Sequence, residues 1–162
     1  MTTSAWTAGA DTAGANLAIV RRLMDEGFNQ GNLAVCDELV SPDAVEHQRG
    51  NQPGADGVKA VINSLRSWFS DFRIEIEDIV AQDDMVWCRN RAVGTNDGHF
   101  MGFPPTGRKI DITVYDTVRI KDGRIVEHWG VPDQLGVVLQ LGLFPPPGRR
   151  PPQAGTGTGE RT

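Results

Sequence analysis

The sequence is short of the features that would assign it to several common classes of protein. Its 162 residues include only two cysteines and three histidines, and Lys and Arg (16) are outnumbered by Asp and Glu (21). A net acidic chain without a basic cluster argues against a nucleic-acid or anionic-membrane surface. No apolar run approaches the ~20 residues that a membrane-spanning helix needs. We therefore expect one soluble domain with no nucleic-acid and no membrane partner.

The cysteines and histidines also lack the spacing of a metal site. No CxxC or HxxxH motif occurs, and Cys36 and Cys88 lie far apart, so we expect no metal. A glycine-rich phosphate loop and a GxSxG elbow are missing as well. The two cysteines are predicted to be reduced, half-buried residues of a cytoplasmic protein. The first sixteen residues lack the charged and apolar pattern of a signal peptide.

Composition predicts a folded unit between two tails. Residues 1–12 are small and polar, and residues 144–162 are rich in Pro and Gly. Neither segment carries enough apolar surface to pack, so both are predicted to be disordered. The domain is therefore expected to span residues 13–143.

Apolar residues recur at helical spacing three times before residue 70. The first predicted helix covers residues 17–28. A short second helix begins after Asn32, extends through Val40 and is closed by Pro42. A polar segment around His47 follows, and the third helix covers residues 55–69.

After Asp71 the apolar period changes to two, which predicts β-strands. The first strand ends near residues 82–84, and the next has a small, weakly charged set that we expect to face inward. That set is Val86, Cys88, Asn90 and Ala92. A Gly/Pro-rich connection leads to a hairpin, and Pro132-Asp133 can start a closing helix that ends at Gly142. Three helices, four or more antiparallel strands and a terminal helix predict an α+β fold, with helices covering one face of a curved sheet.

The hairpin predicted over residues 111–131, DITVYDTVRIKDGRIVEHWGV, is the most informative segment. Its turn is Lys121-Asp122-Gly123. A two-residue loop would set Asp116 opposite Trp129 and turn His128 to the other face. A three-residue loop sets Asp116 opposite His128 and gathers the aliphatic residues on one face, which burial favours. This register predicts a carboxylate facing an imidazole within an apolar wall, an arrangement typical of an acid–base site.

Three segments resemble the SnoaL-like polyketide cyclases and ester-cyclase-like proteins of the nuclear transport factor 2-like superfamily. They are FNQGNLAVCDELVSPDAVEH (28–47), GHFMGFPPTGRKI (98–110) and DGRIVEHWGVPDQLGVVLQLG (122–142). The resemblance covers about residues 15–143 and implies a cone-shaped α+β barrel with a deep apolar pocket, usually in a homodimer. Characterised members close a ring of an aromatic polyketide by an intramolecular aldol reaction, without a metal or a cofactor.

The resemblance fails at one important position. In the aldol cyclases, the acid–base aspartate lies two residues after the histidine of the last strand. That histidine matches His128, but the later position is Gly130. A histidine of the preceding strand corresponds to Asp116, where an aspartate is usual in the ester-cyclase-like branch. The resemblance thus implies either that the acid has moved to the neighbouring strand or that ring closure has been lost.

We predict a cofactor-independent cyclase that acts on an aromatic polyketide or similar hydrophobic carbonyl compound, as in antibiotic biosynthesis. Asp116 and His128 are the predicted catalytic residues, because an apolar wall raises the pKa of a carboxyl group toward the working pH. The alternatives are a hydroxylase component of the same fold and a non-catalytic small-molecule binding protein. Asp116 and His128 could also form a purely structural pair.

Five further residues are candidates for substrate binding. The polar candidates, which could hold a substrate carbonyl, are His47 and Asn90. The apolar candidates, which could line the pocket, are Trp68, Met101 and Phe103. Each also has a structural interpretation. His47 could hydrogen-bond backbone groups of a loop, Asn90 could hydrogen-bond an irregular strand, and the apolar side chains could belong to the core.

Overall fold

The computed structural model describes residues 4–144, with side chains from residue 12 onward. Within these residues the chain forms four α-helices and five β-strands. In chain order the elements are α1 (Ser4–Arg22), a π-helical segment (Leu23–Asn29), α2 (Ala34–Leu39), β1 (Val40–Glu46), α3 (Gly54–Trp68), β2 (Arg73–Gln82), β3 (Met85–Thr95), β4 (Lys109–Lys121), β5 (Arg124–Pro132) and α4 (Gln134–Gln140). Among the described residues, none of the helices is both long and apolar enough to cross a membrane.

The strands form one curved sheet in the order β1-β5-β4-β3-β2. Strands β2 to β5 pair antiparallel, whereas β1 runs parallel to β5. Helices α1, α2 and α3 pack over one face of the sheet and enclose the apolar core. The inward set predicted for β3 is buried. The α+β prediction is confirmed, with one parallel strand added to the antiparallel sheet.

Strand β1 is the element that the sequence pattern does not predict. We expect a helix up to Val40 and then a polar loop, but Val40–Glu46 form a strand at the edge of the sheet. Pro42 argues against a central strand because proline lacks a backbone N–H, yet an edge strand tolerates it. The pairing with β5 shifts register after Val40 and then sets Glu46 beside His128.

The hairpin of β4 and β5 has neither of the two predicted registers. Its turn is a two-residue turn, because Asp122 and Gly123 both have positive φ (51° and 75°). Asp116 lies opposite Gly130 rather than opposite His128 or Trp129. The predicted three-residue loop is therefore wrong.

A β-bulge explains why the hairpin still presents the predicted face. Ile120 pairs with Ile125 but Arg119 pairs with Glu127, so β5 contains one extra residue at Val126. A shift of one residue moves every later side chain to the opposite face of the sheet. The bulge thus places the ring of His128 on the same face of the sheet as Asp116. A two-residue turn without a bulge would place it on the opposite face.

The ends of the described chain differ in part from the predicted tails. Helix α1 begins at Ser4, inside the segment 1–12 that we expect to be disordered, because its alanine-rich sequence favours a helix. Residues 1–3 and 145–162 lie outside the described residues, and so does almost all of the tail predicted over 144–162. The predicted closing helix is confirmed as α4. It begins after Asp133 because Oδ1 of Asp133 accepts a hydrogen bond from N of Gly136 at 2.7 Å.

Candidate active site

Asp116 and His128 meet on the inner face of the sheet despite the shifted register. Nε2 of His128 lies 3.2 Å from Oδ1 of Asp116, along a diagonal between β4 and β5. Asp116 is buried, whereas the side chain of His128 is 23% exposed. The acid and the imidazole therefore form a close pair in which the ring keeps part of its surface exposed.

A second carboxylate, Glu46, contacts the other nitrogen of the ring. Its Oε2 and Oε1 atoms lie 2.9 and 3.0 Å from Nδ1 of His128. Sequence reasoning missed Glu46 because it assigns this segment to a loop. The sequence offers no local signal for it, because the apolar Val45 is exposed and the charged Glu46 faces the interior, the reverse of an ordinary half-buried strand.

Asn90 contacts the far side of Asp116. Its Nδ2 atom donates a hydrogen bond to Oδ2 of Asp116 at 2.7 Å. Asn90 is fully buried, and its Oδ1 atom has no hydrogen-bond partner among the described residues. A carboxylate only accepts hydrogen bonds, so the NH₂ group of Asn90 must face Asp116. The free atom is an acceptor, which suits a hydroxyl group and not the carbonyl that the sequence analysis assigned to it.

Opposing effects act on the pKa values of His128 and Glu46. Burial lowers the pKa of the His128 ring, but the hydrogen bonds and charges of Asp116 and Glu46 outweigh burial and raise it to about 9. Burial alone would raise the pKa of Glu46, yet the hydrogen bond and charge of His128 bring it below its usual value. At neutral pH the site therefore holds an imidazolium between two acidic side chains.

The position of Gly130 is filled by the side chain of Gln48. A Cβ atom on residue 130 would overlap Oε1 of Gln48 and lie 2.9 Å from Cε1 of His128 and 3.1 Å from Oδ1 of Asp116. Any side chain at position 130 would therefore clash with Gln48 unless Gln48 moved. Where the resemblance leads us to expect an acid, the side-chain oxygen of Gln48 occupies the space next to Gly130.

The structure does not bring His47 to this pair. Its Nε2 atom lies 2.9 Å from Oε1 of Glu127, and its ring stacks on Trp129 with centroids 4.7 Å apart. Successive side chains of a strand point to opposite faces, so His47 faces outward because Glu46 faces inward. This geometry gives no support to the predicted role of His47 in substrate binding.

The three apolar candidates lie near the loop between β3 and β4. Trp68 is partly buried and packs edge-on against Phe100 with ring centroids 5.0 Å apart. Met101 and Phe103 are exposed, at 71% and 49%, so they are not part of the core. Their role in binding a substrate stays a prediction.

Comparison with known proteins gives consistent matches. The SnoaL-like polyketide cyclase family model matches residues 18–141. The aklanonic acid methyl ester cyclase DauD of Streptomyces sp. (strain C5) is 30% identical, covering 82% of this chain and 91% of that protein. The nogalonic acid methyl ester cyclase of Streptomyces nogalater is 29% identical over 74% of this chain and 92% of its own length. The solved structure of IdmH from Streptomyces antibioticus is 37% identical, with a TM-score of 0.69 and coverage of 78% and 98%.

Proposed function

The chain belongs to the SnoaL-like polyketide cyclase family and is a polyketide cyclase, and we propose that it closes a ring of an aromatic polyketide ester by an intramolecular aldol reaction. The two cyclases compared above are named for methyl esters of aklanonic and nogalonic acid, which supports a hydrophobic ester as substrate. The observation that carries the reaction type is the buried carboxylate of Asp116, held between an imidazolium and an amide.

Asp116 performs both proton transfers in this proposal. Its carboxylate removes a proton from the carbon next to a substrate carbonyl, and the C–H electrons form the enolate. The enolate carbon then attacks a second carbonyl carbon, which forms the new C–C bond and leaves an alkoxide. The alkoxide takes the proton back from Asp116, so the carboxylate is restored and no electrons are gained or lost. One buried carboxyl group thus serves as base and then as acid.

His128 supports Asp116 electrostatically instead of acting as the base. Its pKa of about 9 keeps the ring protonated at neutral pH, and both ring nitrogens already face carboxylates. A fixed positive charge beside the reacting carbons stabilises the negative charge of the enolate and the alkoxide. Asn90 fixes the other oxygen of Asp116, so the orientation of the carboxylate is set from both sides.

The direct test is incubation of the purified protein with a tricyclic polyketide methyl ester, followed by mass spectrometry. We expect a cyclised product of unchanged mass, without oxygen or reduced nicotinamide, because an aldol addition keeps every atom. A product heavier by one oxygen atom that requires both reagents would indicate a hydroxylase component. A stable complex without any product would indicate a binding protein, and either result would contradict the proposal.

Gly130 tests how closely the active site is packed. We expect Gly130→Ala to slow ring closure about tenfold, because the new Cβ displaces Gln48 and crowds Oδ1 of Asp116. The free energy of unfolding should fall by about 1–2 kcal/mol, because Gln48 can move aside but the His128 ring, 2.9 Å from the new Cβ and held by two carboxylates, must also shift. Gly14→Ala is the matched control, because a Cβ there meets no atom within 4 Å. Wild-type turnover in Gly130→Ala would contradict this packing.

We further propose that the outer face of the sheet joins two copies of the chain. Trp87, Thr117 and Trp129 form one row across β3, β4 and β5, beside the exposed Tyr115 and Val131. Within the described residues, helices α1, α2 and α3 pack over the opposite face of the sheet. An apolar patch of this kind suits a two-fold interface, in which the same surface contacts itself.

The dimer can be tested with one charged substitution. We expect light scattering to give a dimer mass for the wild type and a monomer mass for Tyr115→Arg, because a buried unpaired charge disfavours the interface. The control is Leu135→Arg, at an exposed position on α4. A monomeric wild type would contradict the proposal.

The cysteines support a cytoplasmic location, which we also propose. Cys36 and Cys88 are both free and buried, as expected in a reducing compartment. Burial, followed by the charge of Asp116, raises the pKa of Cys88 to about 12. Its sulfur is therefore a thiol at neutral pH and takes no part in the chemistry.

A further inference from the structure

We propose that Glu46 is a positioning residue, which holds the His128 ring so that Nε2 faces Asp116 during both proton transfers. This inference rests on the proposed function, because it assigns Glu46 a part in the same reaction. It adds a third residue to the acid–base pair and gives the edge strand β1 a functional purpose.

The backbone places Glu46 and His128 side by side. They are register partners in the parallel pair of β1 and β5, and N of His47 donates a hydrogen bond to O of His128 at 2.9 Å. Neighbouring side chains on one face of paired strands are close enough to interact. The contact between Glu46 and the ring is therefore set by the sheet itself.

The carboxylate of Glu46 is itself held in place. N of Gln48 donates a hydrogen bond to its Oε1 atom at 2.7 Å, and a hydrogen bond donated by the Asn51 side chain also lowers the pKa of Glu46. The Glu46 side chain is only 9% exposed. A buried carboxylate with several donors has little freedom to move, so it can act as a fixed support for the ring.

The contact at Nδ1 decides what happens at Nε2. With Glu46 accepting from Nδ1–H and Asp116 accepting from Nε2–H, the ring cannot turn over without losing both hydrogen bonds. If the imidazolium gives up a proton, Glu46 favours retention of the Nδ1 proton, so the change occurs at Nε2 beside Asp116. Glu46 thus keeps a proton on Nδ1 of His128 and keeps Nε2 directed at Asp116.

The charged groups around His128 make this testable by pH. Glu46 from β1 and Asp116 from β4 are the acidic groups that face the ring, and Cys88 on β3 lies opposite Asp116 as a neutral thiol. Glu46→Gln keeps an oxygen that can accept from Nδ1–H but removes the charge. A residue with a structural role alone would also shift the titration of His128, but it would leave kcat of the folded variant unchanged.

The experiment compares wild type, Glu46→Gln and Glu127→Gln by NMR titration of His128 and by the pH profile of kcat. We expect Glu46→Gln to lower kcat about 10- to 100-fold with KM within about twofold, and to move the titration midpoint of His128 from about 9 toward neutral pH. Glu127→Gln is the matched control, because Glu127 also binds a histidine, His47, but on the outer face. It should leave both readouts unchanged.

The outcomes separate this inference from the proposed function. An unchanged kcat profile in folded Glu46→Gln would overturn the role of Glu46, even if the titration midpoint of His128 moves. Should Glu46→Gln fail to fold, Glu46→Asp keeps the charge but shortens the side chain, and wild-type kcat in that variant would overturn it as well. Full activity of Asp116→Asn would instead overturn the proposed function, whatever Glu46 does.

Discussion

Asp116→Asn is expected to slow ring closure by about 10²- to 10⁴-fold while the protein stays folded. Asparagine has the same shape, so its oxygen can still accept from Nδ2 of Asn90 and its NH₂ group can face Nε2 of His128. The neutral ring would then keep its proton at Nδ1, where Glu46 accepts it. The amide lacks the one property that the reaction needs, which is the ability to take up and return a proton.

The measurement is single-turnover conversion of the polyketide ester, with thermal unfolding of the same samples. We expect the dissociation constant of the substrate to change little, because the substituted group acts on the transition state. Asp111→Asn is the matched control, since Asp111 lies on the same strand but pairs with Arg91 on the outer face. Asp116→Asn with more than about a tenth of the wild-type rate would contradict the assignment.

His128→Ala is expected to lower the free energy of unfolding by about 3–5 kcal/mol at pH 7. The substitution leaves Glu46 and Asp116 as two nearly buried acidic groups without the cation between them. The matched control is His47→Ala, because the contact of His47 with Glu127 is exposed and its loss should cost about 1 kcal/mol or less. Urea unfolding at pH 7 measures both variants.

The pH dependence of the wild-type protein provides a second measurement of the same interaction. The pKa of His128 rises from 6.5 to about 9 on folding. A raised pKa stabilises the folded state fully below pH 6.5 and no longer does so above pH 9. The unfolding free energy should therefore fall across this window, by about 3 kcal/mol at most. A flat profile from pH 6.5 to 9, or a His128→Ala variant as stable as the wild type, would contradict the buried ion pair.

The predicted elements succeed where the signal is local. The helical spacing of α3, the alternation in β3 and the capping residue Asp133 each lie within one short segment. The local sequence does not predict strand β1, because Pro42 argues against a strand unless the strand lies at a sheet edge. That edge position is set by pairing with β5. Predicting Glu46 would have required knowledge of that edge.

The sequence by itself determined the α+β class, the inward face of the hairpin and the two residues that meet there, Asp116 and His128. Burial of apolar side chains selects a face, and a face is a property of sequence alternation. Only the tertiary structure decided the register, the partners Glu46 and Asn90, and the outward position of His47. A single bulged residue and a parallel edge strand set these contacts. The edge strand arises from pairing between segments far apart in the chain, and the bulge is a departure from regular pairing within the hairpin, so neither is recorded by a local hydrophobic pattern.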